Sequence, residues 1–532
     1  MEKEDVYQEI IQRLLKKEIQ TKEEIHRAKI LLCKKYKISR IPSDSTIFAH
    51  VPSTLPEEEY QRLATLLKRK PMRTISGVAI IAVMTSPAPC PHGICVPCPG
   101  GIQTNTPQSY TGHEPAALRA SMHSFDPYLQ TKARLEQLAA IGHATDKIDL
   151  IIMGGTFTAR PYWYQQWFVQ RCFDAFNHQT SKNLQEAHQL NETASSRCIG
   201  LTIETRPDWF RLQHIDTSLS LGATRVELGV QNIFDDILGR MKRGHTVTDT
   251  IQATQLAKNS GFKICYHFMP GLPGSTVEND LKGFERLFTD QRFQPDMLKI
   301  YPTLVIKGTN LYDMWKQGKY LPYSTQEAVE LIAQMKHLVP EWVRIQRIQR
   351  DVPSQYIDKG VKHSNLRQYV QQELHRKDQH CRCIRCREIG HQQLQGAINQ
   401  QDITPEFKIK KYRANESDEL FLSIEDTYHD ALMGYLRLRD INYSHRKELQ
   451  KHPCMIIREL RVLGQELPLG VSHQKAMQHK GLGKQLIQEA EKICVDSYDK
   501  HLLFVLSGVG VRQYYQKIGF EKKGIYLQKT IK

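Results

Sequence analysis

From Gly77 to about Ile306 the chain alternates short, near-continuous apolar runs with helical stretches, and this rhythm limits the possible folds more than any other feature of its 532 residues. The runs are Val78–Val83, Ile148–Met153, Cys198–Ile203, Arg225–Val230, Lys263–Phe268 and Met297–Ile306, most of them bounded by Gly or Pro. Leu129–Ile141 and Thr248–Ser260 are among the helical stretches between them. Strands that are apolar on both faces and separated by helices specify a parallel sheet covered on each side. Six such units predict an α/β fold built on a partial (β/α) barrel, whose chemistry belongs at the C-terminal ends of the strands. The unusual residues fall there. Cysteines follow the first run, Gly154-Gly155-Thr156 the second, Glu204 the third and Gln231 the fourth, and His267 stands in the fifth ahead of a Pro/Gly-rich turn.

The barrel is expected over residues 76–320. Residues 321–400 read as a basic, histidine-rich linker with a metal site, and residues 401–532 as a second α/β unit. Strands are expected in that unit at Leu420–Glu425, Ala431–Leu438, Met455–Val462 and Leu502–Leu506, with helices at Gly483–Tyr498 and Val511–Ile518. Residues 1–75 read as a basic helical segment, with Val6, Ile10, Ile11, Leu14 and Leu15 at helical spacing. Its Lys16, Lys17, Lys34, Lys35 and Lys37 form either a solvated face or a nucleic-acid-binding one.

A net charge of +16 points to a polyanionic partner, nucleic acid before membrane. Hydrophobic residues at 40% and charged ones at 24% exclude collagen-like, coiled-coil and wholly disordered chains. No apolar run approaches the ~20 residues of a membrane helix. The opening Met1-Glu-Lys-Glu-Asp lacks the apolar stretch of a signal peptide. The expectation is a cytoplasmic protein with no membrane partner, in which the 12 cysteines are reduced.

Six cysteines fall in two clusters. Cys90, Cys95 and Cys98 form C-x4-C-x2-C in a loop of prolines and glycines leaving the first strand. Three thiolates on an iron–sulfur cluster leave one iron open to an exogenous ligand. The competing assignment is a zinc completed by His92. Cys381, Cys383 and Cys386 form C-x-C-x2-C, which with His380 or His391 nearby suits a tetrahedral zinc; the alternative is three unmetallated thiols.

The first cysteine loop, followed by Met153-Gly154-Gly155-Thr156-Phe157 and Ile203-Glu204-Thr205-Arg206-Pro207-Asp208, resembles the radical S-adenosylmethionine (SAM) enzymes. That resemblance implies a [4Fe–4S] cluster on Cys90, Cys95 and Cys98, with SAM on the open iron. It implies that Gly154 and Gly155 contact the methionine amino group. Glu204 either helps orient the cofactor or is only a strand-end carboxylate.

Further on, Gln478-His-Lys-Gly481-Leu482-Gly483-Lys484 opens a helix with a glycine-rich turn, whose free N–H groups suit a pyrophosphate. In that setting the pattern resembles the acetyl-CoA loop of the GNAT acetyltransferases. The resemblance implies that the strand Glu459-Leu460-Arg461-Val462 hydrogen-bonds the pantetheine arm. It also implies that Tyr514 or Tyr515 is the general acid towards the CoA thiolate, the alternative being that both merely pack.

The fusion of a radical SAM barrel to a C-terminal GNAT domain resembles the family of the Elongator catalytic subunit. Leu298–Thr309, Gln349–Pro353 and His363–Arg367 extend that likeness. It implies a tRNA uridine acetyltransferase with acetyl-CoA as co-substrate, SAM radical chemistry and 5-carboxymethyluridine at wobble position 34 as product. It places Lys147 near acetyl-CoA. Arg376, Lys377, Arg382 and Arg385 then join the N-terminal lysines as candidate phosphate contacts. Two competing readings remain: a protein-lysine acetyltransferase with a structural iron–sulfur domain and Glu459 or Glu466 as base, and a tRNA-binding scaffold without turnover.

Overall fold

Among the described residues, fourteen strands form two seven-stranded sheets. The computed structural model describes residues 2–38, 41–48, 50–52, 54–67, 77–394, 398, 402–464 and 481–532. The first sheet holds β1 (Ala79–Met84), β2 (Lys147–Met153), β3 (Arg197–Thr205), β4 (Arg225–Gln231), β5 (Lys263–Phe268), β6 (Met297–Ile300) and β7 (Arg344–Ile348) in chain order. Every neighbouring pair is parallel, and β1 and β7 are the edges, so the sheet is an open half-barrel. Ile81, Val83, Ile148, Leu150 and Ile152 are buried in one core with Phe168, Phe173 and Phe176 of the helix Tyr162–Asn177.

Two expectations change here. The run Met297–Ile306 stops pairing at Ile300, just before Pro302, which has no N–H to offer a ladder. The barrel also continues past residue 320. The helix Thr325–His337, opened by a capping box between Ser324 and Glu327, and strand β7 both come from the expected linker. β7 reads Arg-Ile-Gln-Arg-Ile because Ile345 and Ile348 are buried while Arg344 and Gln346 line the barrel's interior cavity.

The second sheet holds β8 (Glu406–Ala414), β9 (Ser417–Asp426), β10 (Ala431–Ile441), β11 (Cys454–Val462), β12 (Leu502–Val505), β13 (Glu521–Lys523) and β14 (Tyr526–Thr530). Its order is β13-β14-β12-β11-β10-β9-β8. Only β11 and β12 are parallel, joined through the helix Leu482–Asp496. They pair only over Met455–Ile457, so among the described residues Arg458–Val462 have no strand partner on that side.

The two sheets meet through buried charge. Asp296, Lys258 and Asn259 of the first unit face Glu419, Arg437, Arg439 and Arg458 of the second, and all are buried. Arg458 donates to Asp296 at 2.8 and 2.6 Å and to Glu419 at 2.7 Å. Arg439 donates to Glu419 at 2.9 Å and to Asn259 at 2.5 Å. Arg437 donates to Glu459 at 2.9 Å and to the carbonyl of Trp342 at 2.6 Å. Gly510 packs on the start of β3, where an added Cβ would stand 2.5 Å from Cβ of Arg197.

The helices Glu2–Leu15, Lys22–Lys35, Asp44–Phe48 and Glu57–Leu67 form a separate small core around Val6, Ile10, Leu14, Leu32 and Leu63. Lys16, Lys17, Lys34, Lys35 and Lys37 are exposed on it, and Lys35 pairs with Glu9 at 2.9 Å. No helix among the described residues is long and apolar enough to cross a membrane.

Candidate active site

A cavity of about 350 Å³ runs through the half-barrel, from the cysteine loop after β1 to the second sheet beneath the barrel. Cys90, Cys95 and Cys98 line one end, and Arg344, Glu388, His391 and Arg461 the other.

Tight turns shape the cysteine loop: Gly93 N–H donates to the carbonyl of Cys90 and Cys98 N–H to that of Cys95, each at 3.0 Å. Each sulfur meets a polar group. Thr156 Oγ1 lies 3.6 Å from Cys90, Arg243 Nη1 donates to Cys95 at 3.4 Å, and Gln108 Nε2 donates to Cys98 at 3.3 Å. His92 Nε2 lies 3.0 Å from Cys95. Burial pushes the thiols of Cys90 and Cys95 up, so without a cationic centre they stay protonated. Donors aimed at sulfur stabilise thiolates and tune the potential of an iron–sulfur cluster. This donor set fits a [4Fe–4S] cluster.

Gly154 and Gly155 follow β2 with φ of +129° and +87°. A Cβ on Gly154 would overlap the side chain of Thr85, and one on Gly155 would stand 3.7 Å from the sulfur of Cys90. Thr85 leaves no room for a side chain at Gly154, and the positive φ at both positions is one that glycine adopts without strain.

Beneath lies a buried polar cluster. Tyr110 donates to Glu204 at 2.7 Å, Lys299 to Glu204 at 3.4 Å and also to Glu227, and His267 Nε2 lies 3.0 Å from Glu227. Burial alone would raise the carboxyl of Glu227, but Lys299 and His267 hold it well below the usual range. One ligand-type atom from each of Glu204, Glu227 and His267 lies within 4.8 Å of the others, and the Lys299 ammonium pairs with both carboxylates. Sequence reasoning missed Tyr110, Glu227 and Lys299. The available signal was a lysine inside the otherwise apolar Leu298-Lys299-Ile300.

At the other end, the unpaired side of β11 carries Glu459, Leu460, Arg461 and Val462. Leu460 and Val462 face Gly483, where an added Cβ would meet them at 3.8 and 3.6 Å. Gly481, at φ +81°, opens the helix containing Leu482, Gly483 and the exposed Lys484. Tyr514 Oη stands 3.0 Å from the same Cβ position on Gly483, and the residue is 40% exposed. Tyr515 is 6% exposed and packs on Phe520. The side chains of Glu459 and Arg461 instead turn to the barrel. Burial would raise Glu459, but Arg437 and Arg461 hold it down to about 2. Lys147 opens β2 beside Arg197, on which Gly510 packs. Gln478 and Glu466 lie outside the described residues.

The sulfurs of Cys381, Cys383 and Cys386 lie within 4.8 Å of one another. Neither expected histidine joins them: His380 is exposed, and His391 Nε2 turns to Glu388 at 3.5 Å. Of the linker cations, Arg385 lines the barrel cavity, Arg376 and Lys377 pair with Glu373, and Arg382 pairs with Glu341 and Asp430.

Four family models match the chain: the ELP3 N-terminal domain over residues 3–75, the radical SAM superfamily over 90–284, the radical SAM C-terminal domain over 295–376, and the GNAT acetyltransferase family over 386–520. The tRNA uridine(34) acetyltransferase of Methanocaldococcus infernus is 49% identical across 99% of this chain and 100% of its own. Elongator complex protein 3 of Homo sapiens is 40% identical across 98% of this chain and 96% of its own. The solved structure of Methanocaldococcus infernus Elp3 with an N-terminal deletion superposes with a TM-score of 0.76 at 47% identity, covering 86% of this chain and 100% of that one. The chain belongs to the family of the tRNA uridine(34) acetyltransferases and Elongator complex protein 3, radical SAM enzymes that carry a GNAT acetyltransferase domain.

Proposed function

We propose that the chain is a cytoplasmic tRNA uridine(34) acetyltransferase that uses acetyl-CoA and SAM to form 5-carboxymethyluridine at the wobble position. The observation that carries this reading is the single cavity reaching from the three cysteines to Arg461 on the GNAT strand. A reaction needing both cofactors on one base requires such a shared compartment.

Cys90, Cys95 and Cys98 would hold a [4Fe–4S] cluster, which with SAM supplies radical chemistry. Gly154 and Gly155 present bare backbone to the methionine end, and Glu204, fixed by Tyr110 and Lys299, orients it. A uridine reaches this lumen only by leaving the anticodon stack. The unpaired backbone of Glu459–Val462 receives the pantetheine arm, with Gln478 and Gly481–Lys484 at the pyrophosphate. Lys147 approaches from the barrel side. Tyr514 is the general acid, its hydroxyl standing over Gly483 and open to ligand; Tyr515 is packing. Zinc on Cys381, Cys383 and Cys386 would pin the connection between the two units.

The lysine acetyltransferase reading needs a base to deprotonate an ammonium. Glu459, tied to Arg437 and held near 2, is too weak a base for that. The test compares CoA release with tRNA and with a basic peptide. Release is expected to rise with tRNA alone; a response to peptide alone would reverse the assignment. Tyr514→Phe is expected to lower the tRNA-stimulated rate by ~10²–10⁴-fold with tRNA affinity unchanged, the range for one positioned acid. Full activity in that variant would remove Tyr514 from the mechanism.

A further inference from the structure

Two loops meet across the side on which the half-barrel is open, and the reading above gives them no task. One is the stretch from Gly101 to Glu114 that follows the cysteines after β1. The other follows β7 at the opposite edge and contains Gln349–Pro353. They touch at two points. A guanidinium N–H of Arg350 donates to the carbonyl of Ser109. The ring of His113 stacks on that of Tyr356, with centroids 3.6 Å apart and planes 3° from parallel. Both rings remain partly exposed. Ser109, Arg347, Arg350 and Asp351 line the same cavity as the cysteines. Arg347 Nη1 lies 2.6 Å from Asp351 Oδ2, and their side chains are 42% and 51% exposed, so this pair stands at the cavity's rim.

A nucleotide that leaves its stack carries its base into a pocket, while the backbone and the neighbouring bases stay outside. Phosphate cannot follow uracil into this lumen, where Glu204 and Glu227 already pair with the Lys299 ammonium. It needs a cation at the rim. A base left beside the gap needs an aromatic face in place of its lost stacking partner. The rim offers both. An exposed ion pair is weak, so Arg347 can leave Asp351 for a phosphate, to which it can donate two N–H groups at once.

We propose that these two loops form the platform for the anticodon loop, with Arg347 taking a phosphate beside the flipped uridine and the His113–Tyr356 stack carrying an adjacent base. The proposal rests on the tRNA reading above and deepens it. Arg350 is a positioning residue: its bond to Ser109 fixes the platform beside Tyr110, which holds Glu204 in the lumen.

The test measures binding of the full chain, loaded with its cluster, to tRNA across a range of salt. Arg347→Met is expected to weaken binding and to flatten the slope of log affinity against log salt by ~0.7, the value for one single-strand phosphate. Asp351→Asn frees Arg347 and is expected to tighten binding. Tyr356→Ala should weaken it by about 5–150-fold, the range for one stacked base, with the slope unchanged. Tyr356→Phe should keep wild-type affinity. A tRNA lacking its anticodon arm should be bound equally by the wild type and all four variants. If Arg347→Met or Tyr356→Ala also melts early, the tightening in Asp351→Asn decides. Unchanged affinity and slope in a folded Arg347→Met, Asp351→Asn that binds no tighter than wild type, or equal losses on the armless RNA overturns the proposal. A wild type that binds no tRNA would instead overturn the function from which it starts.

Discussion

Serine at Cys90, Cys95 and Cys98 together should take the purified protein from about four iron atoms per chain to none and abolish SAM cleavage. The three sulfurs face one cavity, and Thr156, Arg243 and Gln108 stand against them. A hydroxyl keeps the shape of this loop but loses the soft thiolate. The fold should persist, because Cys90 and Cys98 are partly exposed at the cavity mouth and no core strand passes through them. Iron content, visible absorption and 5′-deoxyadenosine yield measure the effect. A triple variant that keeps its cluster would place the ligands elsewhere, with Cys381, Cys383 and Cys386 the next candidates.

The second large effect is on stability. Arg458→Met is expected to cost about 3–5 kcal/mol, the usual penalty for breaking a buried ion pair from one side. Arg458 spans both units, and its loss leaves the buried Asp296 without its nearest cation, while the buried Glu419 keeps Arg439 at 2.9 Å and Lys258 at 3.5 Å. Asp296 keeps only the Ile264 N–H at 2.8 Å and more distant contacts to Arg437 at 3.6 Å and Lys258 at 3.8 Å. Adding Asp296→Asn should recover part of the loss, giving a coupling of about 0.5–3 kcal/mol in a double-mutant cycle. Denaturant unfolding reads both. A loss under about 1 kcal/mol, as for an exposed pair, would mean that the units are not joined through this network.

The barrel strands were legible because a strand buried on both faces needs an almost unbroken apolar run, as in Ile148–Met153. β7 was not, because its lumen-facing positions are the polar Arg344 and Gln346 that the cavity uses. β8 was missed for the opposite reason: it is an exposed edge, and its Lys408, Lys410 and Lys411 leave no apolar run to mark a strand. Arg437 and Arg439 alternate with Leu436 and Leu438. Alone, such a pattern predicts one face in water; the second unit buries that face against the barrel instead. The cysteine loop, Gly154-Gly155 and Gly481-Leu482-Gly483 stood out because their spacing is local. Tyr110, Glu227, Lys299, Arg344 and His391 did not, since each gains meaning only from partners 35 or more residues away or from a shared cavity. His391 stands out in the sequence only as an alternative to His380 beside the second cysteine cluster, whereas its ring turns to Glu388.

The central claim is that both cofactors act on one uridine in one cavity. Its most direct measurement is nucleoside mass spectrometry of tRNA after anaerobic incubation with the cluster-loaded protein, SAM and acetyl-CoA labelled in the acetyl carbons. The account predicts labelled 5-carboxymethyluridine at position 34 that requires both cofactors and disappears in the Cys90/Cys95/Cys98 serine variant. Labelled product that forms without SAM, or label that enters protein lysine while uridine stays unmodified, would contradict it.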